Sequence, residues 1–145
     1  PGTLGRAYFD FVDGHGLAFP GEAGGGDAAL VAHDHSHVLA GYGTDGPSEL
    51  ALQAMLTSAT DFEHHFSGLV ASLALYESGK FEILDIVAKV GALDRPGAGD
   101  ELAEAFHRGA ACSCDFSTID HLARAHEPLD AVRSDCGILP RAVAA

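Results

Sequence analysis

Apolar positions recur at three- and four-residue intervals along most of the chain, the pattern of helices buried on one face. Leu4, Tyr8, Phe11 and Val12 form one such face near the N-terminus. Gly14 and Gly16 follow and should end that helix, because glycine tolerates a left-handed exit. "PGEAGGG", residues 20–26, reads as a mobile loop. A second helix is expected from about Asp27 to Ala40, before Gly41, Gly43, Gly46 and Pro47 break the chain. A third is expected from near Ser48, with Leu52, Leu56 and Ala59 on one face. Residues 67–77 are apolar nearly all round, which predicts a buried helix. Ile83, Ile86, Val87 and Val90 stripe the next helix, and Leu102, Ala105 and Phe106 the one after it. Ser117 to Asp120 has capping-box spacing, with Asp where Glu or Gln is usual. Pro128 should kink the last helical stretch or restart it at a first-turn position, where proline is tolerated. No clean period-two strand appears, so the expected fold is all-α: a single-domain helical bundle over residues 1–145.

Composition adds bounds to this pattern. A chain of 145 residues suits one domain and can bury about 68–70% of its unfolded surface. A hydrophobic content of 47% fits a globular chain and argues against long disorder. The net charge of −13, with eight basic residues scattered along the sequence, excludes nucleic acid as a partner. It also argues against electrostatic docking on an anionic membrane, though not against apolar contact with one. No apolar run approaches the ~20 residues that span a bilayer. The chain begins at Pro1, which leaves room for a removed leader. Cys112, Cys114 and Cys136 are odd in number and irregular in spacing, which suggests free thiols in a reducing cytoplasm. Few Lys and many Ala, Gly and Arg fit a bacterial source with a GC-rich genome.

The candidate chemistry lies in "HDHSH", residues 33–37. On a helix, His33 and His37 project from one face a turn apart, a common spacing for two imidazoles sharing a metal ion. Asp34 leans toward the same side. His35 points roughly 200° from His33 and should not join them. Glu49 is the best candidate to complete the set. It shares a face with Leu52 and Leu56, so it should point inward, and a helical hairpin would carry it back beside His37. A buried carboxylate needs a partner, and a metal supplies one. The bland reading is a solvated histidine tuft. HDxxH lacks the glutamate that serves as general base in HExxH peptidases, so no peptidase is implied.

His64 and His65 diverge by about 100° and are not expected to share one ion. A surface position at a helix end is the first reading for them, since cations favour C-termini. A supporting position near the metal is the second. For His15, His107, His121 and His126 a surface or satisfied-core position is expected. Residues 69–75 read first as ordinary core, and second as the wall of a tunnel for a prenyl tail.

His33-Asp34-x-x-His37, eleven residues and then Glu49 resembles the zinc-ligand signature of the fourth Coq protein family of ubiquinone biosynthesis. "PGTLGRAYFDFVD", Pro1 to Asp13, resembles that family's opening helix, and "PLDAVRSDCGI", Pro128 to Ile138, its closing helix. The matches stand in family order across nearly the whole chain. The resemblance implies an all-α homodimer that binds one divalent metal through His33, Asp34, His37 and Glu49. Zinc is the first choice of metal and iron or manganese the alternatives. It implies a long isoprenoid tail as ligand, peripheral contact with the inner face of the membrane, and other ubiquinone-biosynthesis enzymes as partners. The implied activity is decarboxylation and hydroxylation at C1 of a polyprenylated 4-hydroxybenzoate. The alternatives are a non-catalytic prenyl-lipid-binding scaffold and a divergent relative acting on another small aromatic acid.

Overall fold

The computed structural model describes residues 2–28, 30–80 and 88–141, and the secondary structure of those residues is all-α. Six helices follow in order: α1 (Leu4–Gly14), α2 (Leu30–Ala40), α3 (Gly46–Ala59), α4 (Glu63–Tyr76), α5 (Ala98–Ala110) and α6 (Leu129–Asp135). The helix expected from Ile83, Ile86 and Val87 lies outside the described residues, and Val90 beside it is exposed and bridges to Ser78.

α3 is the central element. Leu50, Ala51, Leu52, Ala54, Met55 and Leu56 are all buried, so apolar residues face inward on nearly every side of it. α4 and α5 pack along it, α2 packs on it and on α1, and α6 meets α1 and α2. The approach of α5 depends on Gly109. A Cβ there would stand 2.1 Å from the Met55 carbonyl oxygen and 2.1 Å from Ser58 Oγ, far inside van der Waals contact. Ser58 Oγ in turn donates to the Phe106 carbonyl at 2.9 Å and ties the two helices at the same point.

The N-terminal helix falls where the pattern of Leu4, Tyr8, Phe11 and Val12 places it, with Leu4 and Val12 buried. Thr3 caps it by accepting from the Arg6 N–H at 3.3 Å. α2 starts at Leu30, a few residues later than expected. α3 starts at Gly46, ahead of the expected Ser48, because the Asp45 carboxylate accepts from the Ser48 N–H at 3.0 Å and Pro47 fits the first turn.

Two expectations need correction. The stretch 67–77 is helical within α4, but it is not buried all round: Phe66 is 62% and Val70 51% exposed, while Leu75 and Tyr76 are buried. α4 packs on α3 along one side, so its opposite side stays apolar and uncovered among the described residues. Ser117 to Asp120 caps no helix. Asp115 organises that segment instead, accepting from the Ser117 N–H at 3.0 Å and the Ser117 hydroxyl at 2.6 Å. Pro128 ends a run of turns and immediately precedes α6, so the chain restarts there rather than kinking.

Candidate metal centre

The site is built on the α2–α3 hairpin. Gly41 leaves α2 in the left-handed region at φ 76°, which a side chain would strain. That turn lets the N–H groups of Gly41 and Tyr42 both donate to the His37 carbonyl, at 2.7 and 3.1 Å. Residues 41–45 reverse the chain, and Asp45 opens α3. Glu49 therefore sits in the first turn of α3, facing the last two turns of α2.

His33, His37 and Glu49 converge. Their ligand atoms all lie within 4.8 Å of one another, and among the described residues this is the group that could hold a metal ion. His33 Nε2 and His37 Nε2 are 3.0 Å apart. At that separation either one ring donates a proton to the other or both lone pairs face one cation. Glu49 Oε1 lies 3.3 Å from His37 Nε2, and Oε2 lies 3.5 Å from His33 Nε2. His37 is buried, and its ring stacks on Phe11 at 5.5 Å between centroids. His33 is on the solvent side.

Electrostatics keep the Glu49 carboxylate in ligand form, while its charge favours the proton on His33 that an ion would have to displace. Burial works to raise the Glu49 carboxyl, but contacts with His33 and His37 outweigh it and hold the group at about 2. Burial works to lower His33, and the contact with Glu49 reverses that and leaves it raised. The donors fit a divalent ion: two imidazole nitrogens and an ionised carboxylate is a common set in catalytic sites that keep an open position. One feature departs from common practice. A ligating histidine ordinarily donates its other ring N–H, yet His37 Nδ1 is buried without a hydrogen-bond partner among the described residues. Packing against Phe11, with the Nε2 contacts to His33 and Glu49, sets that ring's orientation in place of a hydrogen bond at Nδ1.

Asp34 is beside this group but not one of the residues whose ligand atoms meet. It is half-buried, and burial raises its carboxyl, with the charge of Glu49 adding and those of His33 and His37 opposing. His35 turns away, as helix geometry requires. It is fully buried, stacked on Tyr8 at 4.0 Å and 12°, with its ring Nδ1 2.7 Å from the Val31 carbonyl. Burial lowers its pKa, so the ring is neutral core.

The surface reading of His65 is overturned. It lies in the first turn of α4, not at a C-terminus, and it is buried with Nε2 2.8 Å from Asp115 Oδ2. His64 is exposed. Neither belongs to the metal group. Sequence spacing could not find the His65–Asp115 pair, because its members are 50 residues apart. Burial works to raise the Asp115 carboxyl, and hydrogen bonds from Ser117 and His65 hold it below its usual value. A carboxyl lowered on folding adds stability that is complete above its unfolded pKa and is lost as pH falls through the folded one. Asp115→Asn should therefore cost about 2 kcal/mol near neutrality. It should also flatten the loss of stability below about pH 4, read from thermal melts across that range.

Cys112, Cys114 and Cys136 are free thiols. Burial pushes Cys136 up to about 12 and Cys112 up to about 11, so neither offers a ready thiolate. No helix among the described residues is long and apolar enough to cross a membrane. Comparison with protein-family models and with curated proteins finds no match to this chain.

Proposed function

We propose that the protein is a metal-dependent enzyme acting on an aromatic acid, with oxidative decarboxylation at C1 of a polyprenylated 4-hydroxybenzoate as the reaction its sequence resemblance implies; dioxygen is the two-electron oxidant, so that acid, water and dioxygen give the C1 phenol, carbon dioxide and hydrogen peroxide. The observation that supports the metal is the convergence of His33, His37 and Glu49 on one point between two helices. A divalent ion bound there would supply Lewis-acid polarisation of a phenolate or carboxylate oxygen. Zinc suits two imidazoles and a carboxylate, and so does non-haem iron or manganese.

The chain's own groups define the rest. Glu49, its carboxyl held well below the usual range by His33 and His37, is ionised at neutral pH and brings the negative ligand charge. His37, locked between α2 and Phe11, is oriented before any ligand arrives. His33, with a third of its side chain exposed, marks the side open to a substrate. Asp34, half-buried beside the histidines with its carboxyl raised, is placed to exchange a proton with a substrate oxygen or to complete the ligand set.

A second reading, a prenyl-lipid-binding scaffold, is favoured by the outer side of α4. Phe62, Phe66 and Val70 recur every four residues there and are 57%, 62% and 51% exposed. An open cleft of about 400 Å³ lies along them, lined by Phe66, Ser67, Val70, Ala71 and Ala74. Exposed apolar surface of this kind marks contact with lipid or protein. A homodimer, a membrane surface or another ubiquinone-biosynthesis enzyme would each cover it.

Turnover separates the two. Metal-loaded protein is expected to release carbon dioxide from a prenylated 4-hydroxybenzoate, and His33→Ala to abolish that while its circular dichroism is unchanged. If wild type and His33→Ala bind the prenylated lipid equally and neither turns it over, the enzyme reading fails and the scaffold stands.

A further inference from the structure

Positive charge is concentrated at the C-terminal end of α2. The chain carries eight Lys and Arg against a net charge of −13. Three of the arginines meet there. Arg108 Nη2 donates to the Ala40 carbonyl at 2.8 Å and Nε to Leu139 at 2.9 Å. Arg133 Nε donates to Leu39 at 3.0 Å and Nη2 to Val38 at 2.9 Å. Arg141 Nη1 donates to Gly41 at 3.1 Å.

Capping the helix does not account for all of this charge. The carbonyl end of a helix carries about −0.5 of an elementary charge, and one cation would satisfy it. Asp130 offsets part of the remainder, 3.4 Å from Arg133 Nη1, but its side chain is 94% exposed and only loosely engaged. Glu104 acts on Tyr42 from α5. Arg108 and Arg141 both lie over the Tyr42 ring, at 5.2 and 4.7 Å. Arg108 is 3% exposed, and its Nη1 has no hydrogen-bond partner among the described residues. That nitrogen is buried on the Tyr42 side of the guanidinium, and the Tyr42 hydroxyl is the nearest acceptor within the chain, so what Arg108 offers the cleft is its charge.

The same three arginines line an open cleft of about 700 Å³, with Ser134 on one wall and Ile138, Leu139 and Pro140 forming an apolar rim. That volume is in the range of small-molecule sites and exceeds a bare ion. Guanidinium forks match oxyanions in pairs of hydrogen bonds. Most of their N–H groups are engaged on backbone carbonyls, but three arginine charges against the one of Asp130 leave about two positive charges on the cleft, which suits a doubly charged group better than a singly charged carboxylate. We propose that this cleft binds the phosphate of a small organic phosphomonoester, with the apolar rim holding its organic part.

The test is titration calorimetry on the full chain at fixed ionic strength, in buffer with a chelator. Metal at His33, His37 and Glu49 then plays no part, and failure here is distinct from failure of the metal reading. Phenyl phosphate probes a soluble ligand, and phosphatidylcholine vesicles with and without phosphatidic acid probe a lipid source of the same group. Arg141→Gln should weaken binding about tenfold, the loss of one charged hydrogen bond. Asp130→Asn, at an exposed position, should strengthen it by removing a competing carboxylate. Saturation that follows both substitutions upholds the site, with phenyl phosphate for a soluble ligand or with phosphatidic acid alone for a lipid. No saturation by either probe, or affinities that neither substitution changes, overturns it.

Discussion

Purified without added metal, Glu49→Ala is expected to carry none, whereas wild type retains about one equivalent of a single divalent ion by inductively coupled plasma mass spectrometry. Glu49 supplies the charge of the donor set, and it bridges the two helices that form the site. Its loss should weaken binding by more than the 10- to about 100-fold typical of residues that only support a metal ligand. The same difference appears in stability. An ion at about a hundred times its dissociation constant adds about 2.7 kcal/mol to the folded state. Chelation should therefore lower the melting temperature of wild type and leave that of Glu49→Ala where it was. Asp34→Asn is the informative companion. With its carboxylate outside the group whose ligand atoms meet, it should keep the stoichiometry and lose less affinity. Equal metal content in wild type and Glu49→Ala would remove the centre from consideration.

The second large effect is expected far from the metal. Gly109→Ala adds one methyl group where α5 crosses α3, 2.1 Å from a backbone carbonyl oxygen that cannot rotate away. The helices must separate, and Met55, Leu52 and Ala105 are fully buried at or near that crossing. Overpacking of a dense core costs typically 1–3 kcal/mol, and a clash with backbone belongs at about 3 or above. In a chain of this length that lowers the melting midpoint by about 10 °C. Alanine is otherwise the better helix former by about 1 kcal/mol, so a neutral or stabilising result in differential scanning calorimetry would show that α3 and α5 pack less closely than described.

Much of the helical framework was legible in the sequence because one-dimensional spacing determines it. Leu4 and Val12 mark the buried side of α1, and His33, His37 and Glu49 meet because a four-residue step and a glycine-ended hairpin are local features. What was not legible depends on what each face meets. Residues 67–77 are apolar enough for a core helix, but whether Val70 is covered depends on which neighbours lie across α4, and composition does not say. His65 is buried because Asp115 waits for it 50 residues away. Asp34 stands beside the site, within the electrostatic reach of His33, His37 and Glu49, and its carboxylate is not among the ligand atoms that meet. Gly46 as the start of α3 was masked by its own Gly-Pro sequence, which reads as a turn until Asp45 is seen as the cap.

The arginines that close the end of α2 have a consequence for how the chain matures during synthesis. Both halves of the metal centre leave the ribosome within 17 residues of each other, from His33 to Glu49, and need only a local reversal to meet. The groups that hold the last turn of that helix come much later: Arg108 lies 68 residues beyond Ala40, Arg133 lies 94 beyond Leu39, and Arg141 lies 100 beyond Gly41. At about 5–20 residues per second, the histidine hairpin waits several seconds with its terminal carbonyls open to water. In that interval the nascent chain already holds His33, His37 and Glu49, the group that could hold a metal ion, on a helix whose end is not yet fastened, and an ion bound there would act as a temporary clasp until the arginines are translated.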